Sequence, residues 1–193
     1  GSVPVPPPKP MNATVLGAGA GAAALALVLH QNGYRLTLWG HDPVHLRAMQ
    51  TSGRNEAFLP GVELPPDWTF EPDAGRAVHG ADLVLMAVPS KAFREVAAHL
   101  QGLACPVVTA TKGIEFDTGL TMGGILAERV PPHCVAALSG PSLAPEVARG
   151  VPTAVVAASE DSTTAERVQT AFHRPAFRVY RGCDRLGVEL GGA

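Results

Sequence analysis

The chain has 193 residues, enough for one large domain, or for one domain and the start of another. Hydrophobic residues make up 46% of it, which supplies a sizeable core, and the net charge of −2 gives no basic balance that would point to nucleic acid. No apolar run reaches the roughly 18 residues that a bilayer span needs, and the proline-rich start is unlike a signal peptide, so we expect a cytoplasmic protein with neither nucleic acid nor membrane as partner.

Residues 1–10 (GSVPVPPPKP) are low in complexity and read as an extended, disordered leader. Residues 13–16 read as a first strand, and residues 21–31 as an apolar helix with Gly33 at its end. Residues 34–39 alternate like a second strand, and residues 45–52 form a helix stopped by Gly53. Residues 54–67 hold Pro60, Gly61, Pro65 and Pro66 and read as an irregular loop. The continuous apolar run 82–88 is a buried strand, after which Ser90 is placed to cap a helix over 91–100. A strand over 106–110, a helix over 120–129 and a strand over 135–138 follow. Ser142 is expected at the cap of a short helix that runs through Glu146. Residues 154–158 and 177–180 are the last strands. Between them, Thr163 and Glu166 suggest a capping box opening a helix to His173. Residues 186–193 (LGVELGGA) look like the opening of a helix that has been cut, with Leu186, Val188 and Leu190 exposed. That exposure leads us to expect self-association, a homo-oligomer.

Strands alternating with helices imply an α/β architecture, a doubly wound and mostly parallel sheet covered on both faces. The cysteines Cys105, Cys134 and Cys183 are odd in number and lack C-x-x-C spacing, which argues against zinc and against a disulfide framework. Cys134 reads as a small buried hydrophobe. The seven histidines show no metal-ligand spacing, so no metal site is expected.

The most informative segment joins the first strand to the first helix. It reads Gly17-x-Gly19-x-x-Ala22, the dinucleotide fingerprint. Gly17 permits the tight turn, Gly19 lets a pyrophosphate approach the backbone, and Ala22 allows close packing of helix on strand. The free N–H groups at the helix start would face phosphates. The competing reading is an alanine-rich helix after any buried strand.

Ligands of such sheets bind beyond the carboxyl ends of the strands. Four loops fall there: 17–22, 89–90, 111–113 and 139–142. Lys112 is the fixed charge among them, able to hydrogen-bond a carbonyl oxygen or a phosphate; otherwise it is a solvated loop lysine. Gly140 and Ser142 offer bare backbone and a hydroxyl to an anionic oxygen, or form an ordinary turn and cap. At the end of the second strand, Asp42 stands about two residues later than an NAD-type acid would. Gly40 and His41 instead suit a 2′-phosphate, unless His41 is a plain surface residue. This favours NADP, with NAD as the other candidate.

Together these loops resemble the NAD(P)-dependent glycerol-3-phosphate dehydrogenase family of bacterial type. The resemblance is carried in order by VLGAGAGAAALALVLHQNGY, LTLWGHDP, NEAFLPGVELP, AVPSKAFREV, ATKGIE, LSGPSLAPEVARGVPTAV and FRVYRGCDRLGVELGGA. It implies a Rossmann-like cofactor domain over residues 11–185, with residues 186–193 beginning a helical substrate domain that is otherwise absent. It also implies hydride transfer between sn-glycerol 3-phosphate and dihydroxyacetone phosphate, in service of phospholipid synthesis. The positions matching Ala20, Gly21, His41 and Ala144 would touch the cofactor, Lys112 would meet cofactor and substrate, and Gly140 and Ser142 would hold glycerol phosphate.

The sequence departs from the family pattern in two places. Ala20, Gly21 and Ala22 stand where the family has Ser, an aromatic residue and Gly. A general acid/base lysine expected soon after the Gly-Gly-Ala segment does not occur before Ala193. Two alternatives therefore stay open: a non-catalytic dinucleotide-binding module, and the first domain of a 3-hydroxyacyl-CoA or ketopantoate-type dehydrogenase.

Overall fold

The computed structural model describes residues 9–193. The leader expectation therefore falls mostly on residues outside that range; Lys9 and Pro10 are exposed and carry no regular structure.

Strand β1 (Asn12–Leu16) leads through the glycine turn into helix α1 (Ala20–Gln31). Seven of the twelve residues of α1 are buried, because alanine, leucine and valine occupy nearly every position. Its end is marked by Gly33 at φ +90°, whose N–H donates to the His30 carbonyl. Strand β2 (Arg35–Trp39) and helix α2 (Pro43–Ser52) follow. The helix starts two residues earlier than its apolar pattern suggests, since Asp42 caps it by accepting from the Val44 N–H and Pro43 fills its first turn.

Residues 54–67 are not an irregular loop. They hold a small antiparallel hairpin of β3 (Arg54–Asn55) and β4 (Leu59–Glu63), with a register shift between Arg54 and Asn55. A two-residue strand beside such a shift is too short to leave a periodic trace. Beyond it lie the two-residue β5 (Thr69–Phe70) and the four-residue α3 (Ala74–Ala77), then β6 (Leu83–Met86).

Helix α4 (Ser90–Ala97) continues as a 3₁₀ turn over Ala98–Leu100. Ser90 is its first helical residue and Pro89 takes the cap position without a side-chain bond, so the expected serine cap does not form. After β7 (Val107–Thr109), helix α5 (Met122–Leu126) has five residues instead of the ten its pattern suggests. Gly123 and Gly124 weaken it, and the Gly123 N–H donates to Glu189 Oε1 (2.7 Å) near the chain's end.

Strand β8 (Val135–Ser139) precedes α6 (Ala144–Ala148), whose cap residue is Leu143, not Ser142. Strand β9 (Thr153–Ala158) leads to α7 (Ser162–Phe172). Asp161 caps α7 by accepting from the Thr164 N–H, which puts Thr163 inside the helix and removes the capping box. Strand β10 (Phe177–Gly182) and helix α8 (Arg185–Gly192) complete the chain. Leu186 and Leu190 are each half exposed, whereas Val188 is more covered than expected.

The main sheet has eight strands in the order β10-β9-β8-β7-β6-β1-β2-β5. Six of them run parallel, but β9 pairs antiparallel with β8, and β10 runs alongside β9. The sheet is covered on both faces. Ala13, Val15, Leu83 and Leu85 face one core with α1, α7 and Phe172; Leu16, Val84 and Met86 face the other with Phe93, Leu100 and Ile125. Burial on both faces is why β1 and β6 read as unbroken apolar runs. Cys134 is buried as expected, Cys105 is half-buried and Cys183 is exposed; all three are free thiols.

Candidate active site

The chain goes outward from β1 to β2 and β5, then returns to build β6, β7 and β8 on the other side. The switch point lies between β1 and β6, where open α/β sheets bind ligands. A cleft of about 1110 Å³ opens there.

Gly17 sits at its floor. At φ +137° it takes a conformation that disfavours other residues, and a Cβ on it would stand 2.4 Å from the Ala87 carbonyl oxygen and 3.2 Å from the Ala22 Cβ. Glycine here joins β1, β6 and α1 at contact distance. The Gly17 N–H donates to Trp39 O (2.9 Å), and Ala87 N–H to Leu16 O (2.9 Å).

Gly19 and Gly21 are different. A Cβ on either would meet nothing within 4 Å, so the fold itself does not demand glycine. Gly19 holds the cap position of α1 with no side-chain bond to the helix. The first N–H groups of α1 are therefore available to an anion in the cleft. Ala22 lines the cleft at this end; Ala20 is half-buried, packs against the core and is not among the lining residues.

Lys112, in the loop after β7, lines the same cleft, exposed and with no carboxylate partner among the described residues. Three contacts fix its loop. Thr111 Oγ1 donates to Val88 O (2.7 Å). Gly113, at φ +138°, passes so near Ser90 that a Cβ would be 3.1 Å from the serine Cβ. Arg94 of α4 grips Glu115 through two hydrogen bonds of 2.7 Å, which holds that carboxyl down to about 2.

Gly140, Ser142 and Ala144 line the same cleft. Gly140 has a structural reason to be glycine: a Cβ would lie 2.8 Å from Ala154 O and 2.9 Å from Val155 Cα. Ser142 is exposed. His41 is exposed at the cleft mouth. Gly40 beside it is buried, and a Cβ there would come within 2.9 Å of Ala18 Cβ. Packing against the glycine loop is thus a reason in itself for glycine at 40, a residue that also lines the cleft. The structure thus brings the fingerprint, His41, Lys112, Gly140, Ser142 and Ala144 to one cavity.

Other lining residues escaped the sequence reading. Phe58, from the hairpin, is 55% exposed and meets the His45 ring edge-on at 5.2 Å. Nothing in its local pattern marked it, because the hairpin itself was read as loop. Lys91, Glu95 and His99 present one polar stripe from α4 and its 3₁₀ turn. Their four-residue spacing was a visible signal, since such positions share a helix face.

Residues 12–165 match the family model described as NAD-dependent glycerol-3-phosphate dehydrogenase N-terminus. A protein of Ectopseudomonas mendocina named glycerol-3-phosphate dehydrogenase (NAD(P)+) is 46% identical over 170 residues, covering 86% of this chain and 49% of its own length. The protein of that name from Edwardsiella ictaluri is 42% identical over 170 residues, with 86% and 50% covered. The crystal structure of glycerol-3-phosphate dehydrogenase from Coxiella burnetii superposes with a TM-score of 0.88 at 35% identity, over 96% of this chain and 57% of that one. The chain spans about half the length of the curated relatives it matches. The expected doubly wound fold is thus shared with a solved relative. By the match over most of its length, this chain belongs to the NAD-dependent glycerol-3-phosphate dehydrogenase family and corresponds to the N-terminal part of its members.

Proposed function

We propose that the cleft binds a nicotinamide dinucleotide, NADP in preference to NAD, and that residues 11–185 are the cofactor-binding unit of a glycerol-3-phosphate dehydrogenase. One observation carries this reading: an uncapped helix N-terminus at Gly19, with open space above Gly19 and Gly21, shares one cleft with a lysine that has no carboxylate partner among the described residues.

Space and donors fit the group. The N–H groups of Gly19, Ala20, Gly21 and Ala22 would hold the diphosphate, with Gly17 setting the turn and Ala144 closing the opposite wall. Ala20 then acts through its backbone, which suits a residue that packs against the core. His41 would lie against the 2′-phosphate and supports the NADP preference. The bound cofactor supplies hydride chemistry at the C2 carbon of the substrate.

Across the cleft, Lys112 Nζ donates a hydrogen bond to the substrate's ketone oxygen or to its phosphate, and stabilises negative charge as it develops. The Ser142 hydroxyl and the backbone at Gly140 orient the phosphate end. The substrate pair is dihydroxyacetone phosphate and sn-glycerol 3-phosphate, in keeping with relatives named glycerol-3-phosphate dehydrogenase.

The test is calorimetric titration of the chain with NADPH and with NADH. Saturable binding, tighter for NADPH, is expected. Failure of both to bind at millimolar concentration would remove the proposal.

A further inference from the structure

The carbonyl oxygen of Ala18, inside the fingerprint loop, accepts from two side chains of the neighbouring elements. Asn55 Nδ2 donates to it at 2.9 Å, and His45 Nε2 lies 3.3 Å from it. Asn55 is fully buried. The register shift between Arg54 and Asn55 is the kind of irregularity that re-aims a side chain, and here it accompanies an inward-facing carboxamide. Its Oδ1 is buried without a partner. The reverse orientation would set that oxygen against the Ala18 oxygen, acceptor against acceptor. A buried carboxamide with an idle oxygen carries a desolvation cost that an apolar side chain of similar size would avoid. What the carboxamide adds is direction.

The Ala18–Gly19 peptide is trans and planar, so its C=O and N–H point in opposite directions. Tying the Ala18 oxygen to Asn55 and His45 turns the Gly19 N–H the other way. No backbone or side-chain acceptor among the described residues meets that N–H, and Gly19 lines the cleft. We propose that Asn55, seconded by His45, is a positioning residue that locks this peptide and so presents the Gly19 N–H to the diphosphate of a bound nucleotide. The assignment rests on the cofactor reading above. It adds that the hairpin takes part in cofactor binding through a residue that does not touch the cofactor. An N–H held in place before binding loses less freedom when a ligand arrives.

Two ligands separate positioning from general support of the fold. ADP carries the diphosphate and adenosine does not. In the 193-residue chain, Asn55→Leu should weaken ADP and NADPH about fivefold to tenfold, the loss expected for one hydrogen bond, and leave adenosine within about twofold. His45→Leu should act in the same direction, by about twofold to threefold, because its contact is longer. Equal losses for ADP and adenosine, or an unchanged ADP affinity, would overturn the assignment. If Asn55→Leu does not fold, the ADP-to-adenosine ratio of His45→Leu decides in the same way. A wild-type chain that binds no NADPH overturns the cofactor reading as well. A wild-type chain that binds NADPH, with the variants' ratio unchanged, overturns this assignment alone.

Discussion

The guanidinium of Arg94 spans two carboxylates, pairing with Glu115 through two hydrogen bonds of 2.7 Å and with Glu128 through one of 2.7 Å. Thr118 Oγ1 adds a donor to Glu115 at 2.6 Å. This knot ties α4 to the segment that follows Lys112. The Arg94 and Thr118 bonds hold the Glu115 carboxyl at about 2, below the ordinary value of about 4.3. A depressed carboxyl stabilises the fold above the unfolded-state value, and the contribution fades as pH falls toward the folded-state value. Glu115→Gln should therefore lower the denaturation midpoint at neutral pH. The gap from wild type should close between about pH 4 and pH 2. Chemical denaturation of both proteins across that range checks it; a constant gap would contradict the pairing.

Gly17→Ala and Gly19→Ala should part company. At Gly17 the new methyl meets Ala87 backbone at 2.4 Å in a strained conformation, so a loss of about 3 kcal/mol or more is expected. At Gly19 it meets open space, and stability should change by under about 1 kcal/mol. NADPH affinity of the Gly19 variant should nonetheless fall at least about tenfold, since the methyl takes the room left for the diphosphate. Thermal unfolding and titration of both variants separate the two roles.

Lys112→Ala should leave the unfolding midpoint within about 0.5 kcal/mol of wild type, because the side chain is exposed and unpaired by any described carboxylate. Loss of one charge-assisted bond should weaken phosphate-bearing ligands about tenfold or more. Competition binding with glycerol 3-phosphate on the cofactor-loaded protein reads this directly.

Gly140→Ala should destabilise the fold, by about 1–3 kcal/mol, since the Cβ would press on Ala154 O and Val155 Cα of β9. Ser142→Ala, at an exposed position three residues from the end of β8, should not. Denaturant unfolding of the pair shows whether the two residues, read together from sequence, act separately.

His41→Ala should narrow the ratio of NADPH to NADH affinity without altering stability, as the ring is exposed at the cleft mouth. An unchanged ratio would move 2′-phosphate recognition elsewhere in the cleft.

The main sheet was legible because burial on both faces writes itself as runs such as LVLM of β6, and because Gly17 and Gly19 stand at fixed spacing after a strand. The hairpin of β3 and β4 was not, since strands of two and five residues around Pro60 and Gly61 leave no alternation to read. Asn55 and Phe58 were lost with it. Caps were misplaced at Ser90, Ser142 and Thr163 because a hydroxyl near a helix start is common, whereas Pro89, Leu143 and Asp161 took the position. The reversal of β9 left no trace, because the direction of a strand is set by packing of its connection and not by its own residues. Gly140 lines the cleft and also has a packing reason to be glycine. That packing reason lies in β9, a strand whose nearness no local pattern reports.

That reversal has a bearing on how ligand choice can change. Because β9 and β10 run against the other six strands, β9 brings Val155 and β10 brings its first residue, Phe177, to the cavity. One jaw of the site is thus made of sheet, with β9 hydrogen-bonded on either side and β10 at the edge, and is poor in freedom. The opposing jaw is made of connectors after β1, β6 and β7, where insertions and exchanges are tolerated. Efforts to retune this scaffold for another nucleotide or phosphate ester belong on the connector side, with the sheet side serving as a fixed anvil.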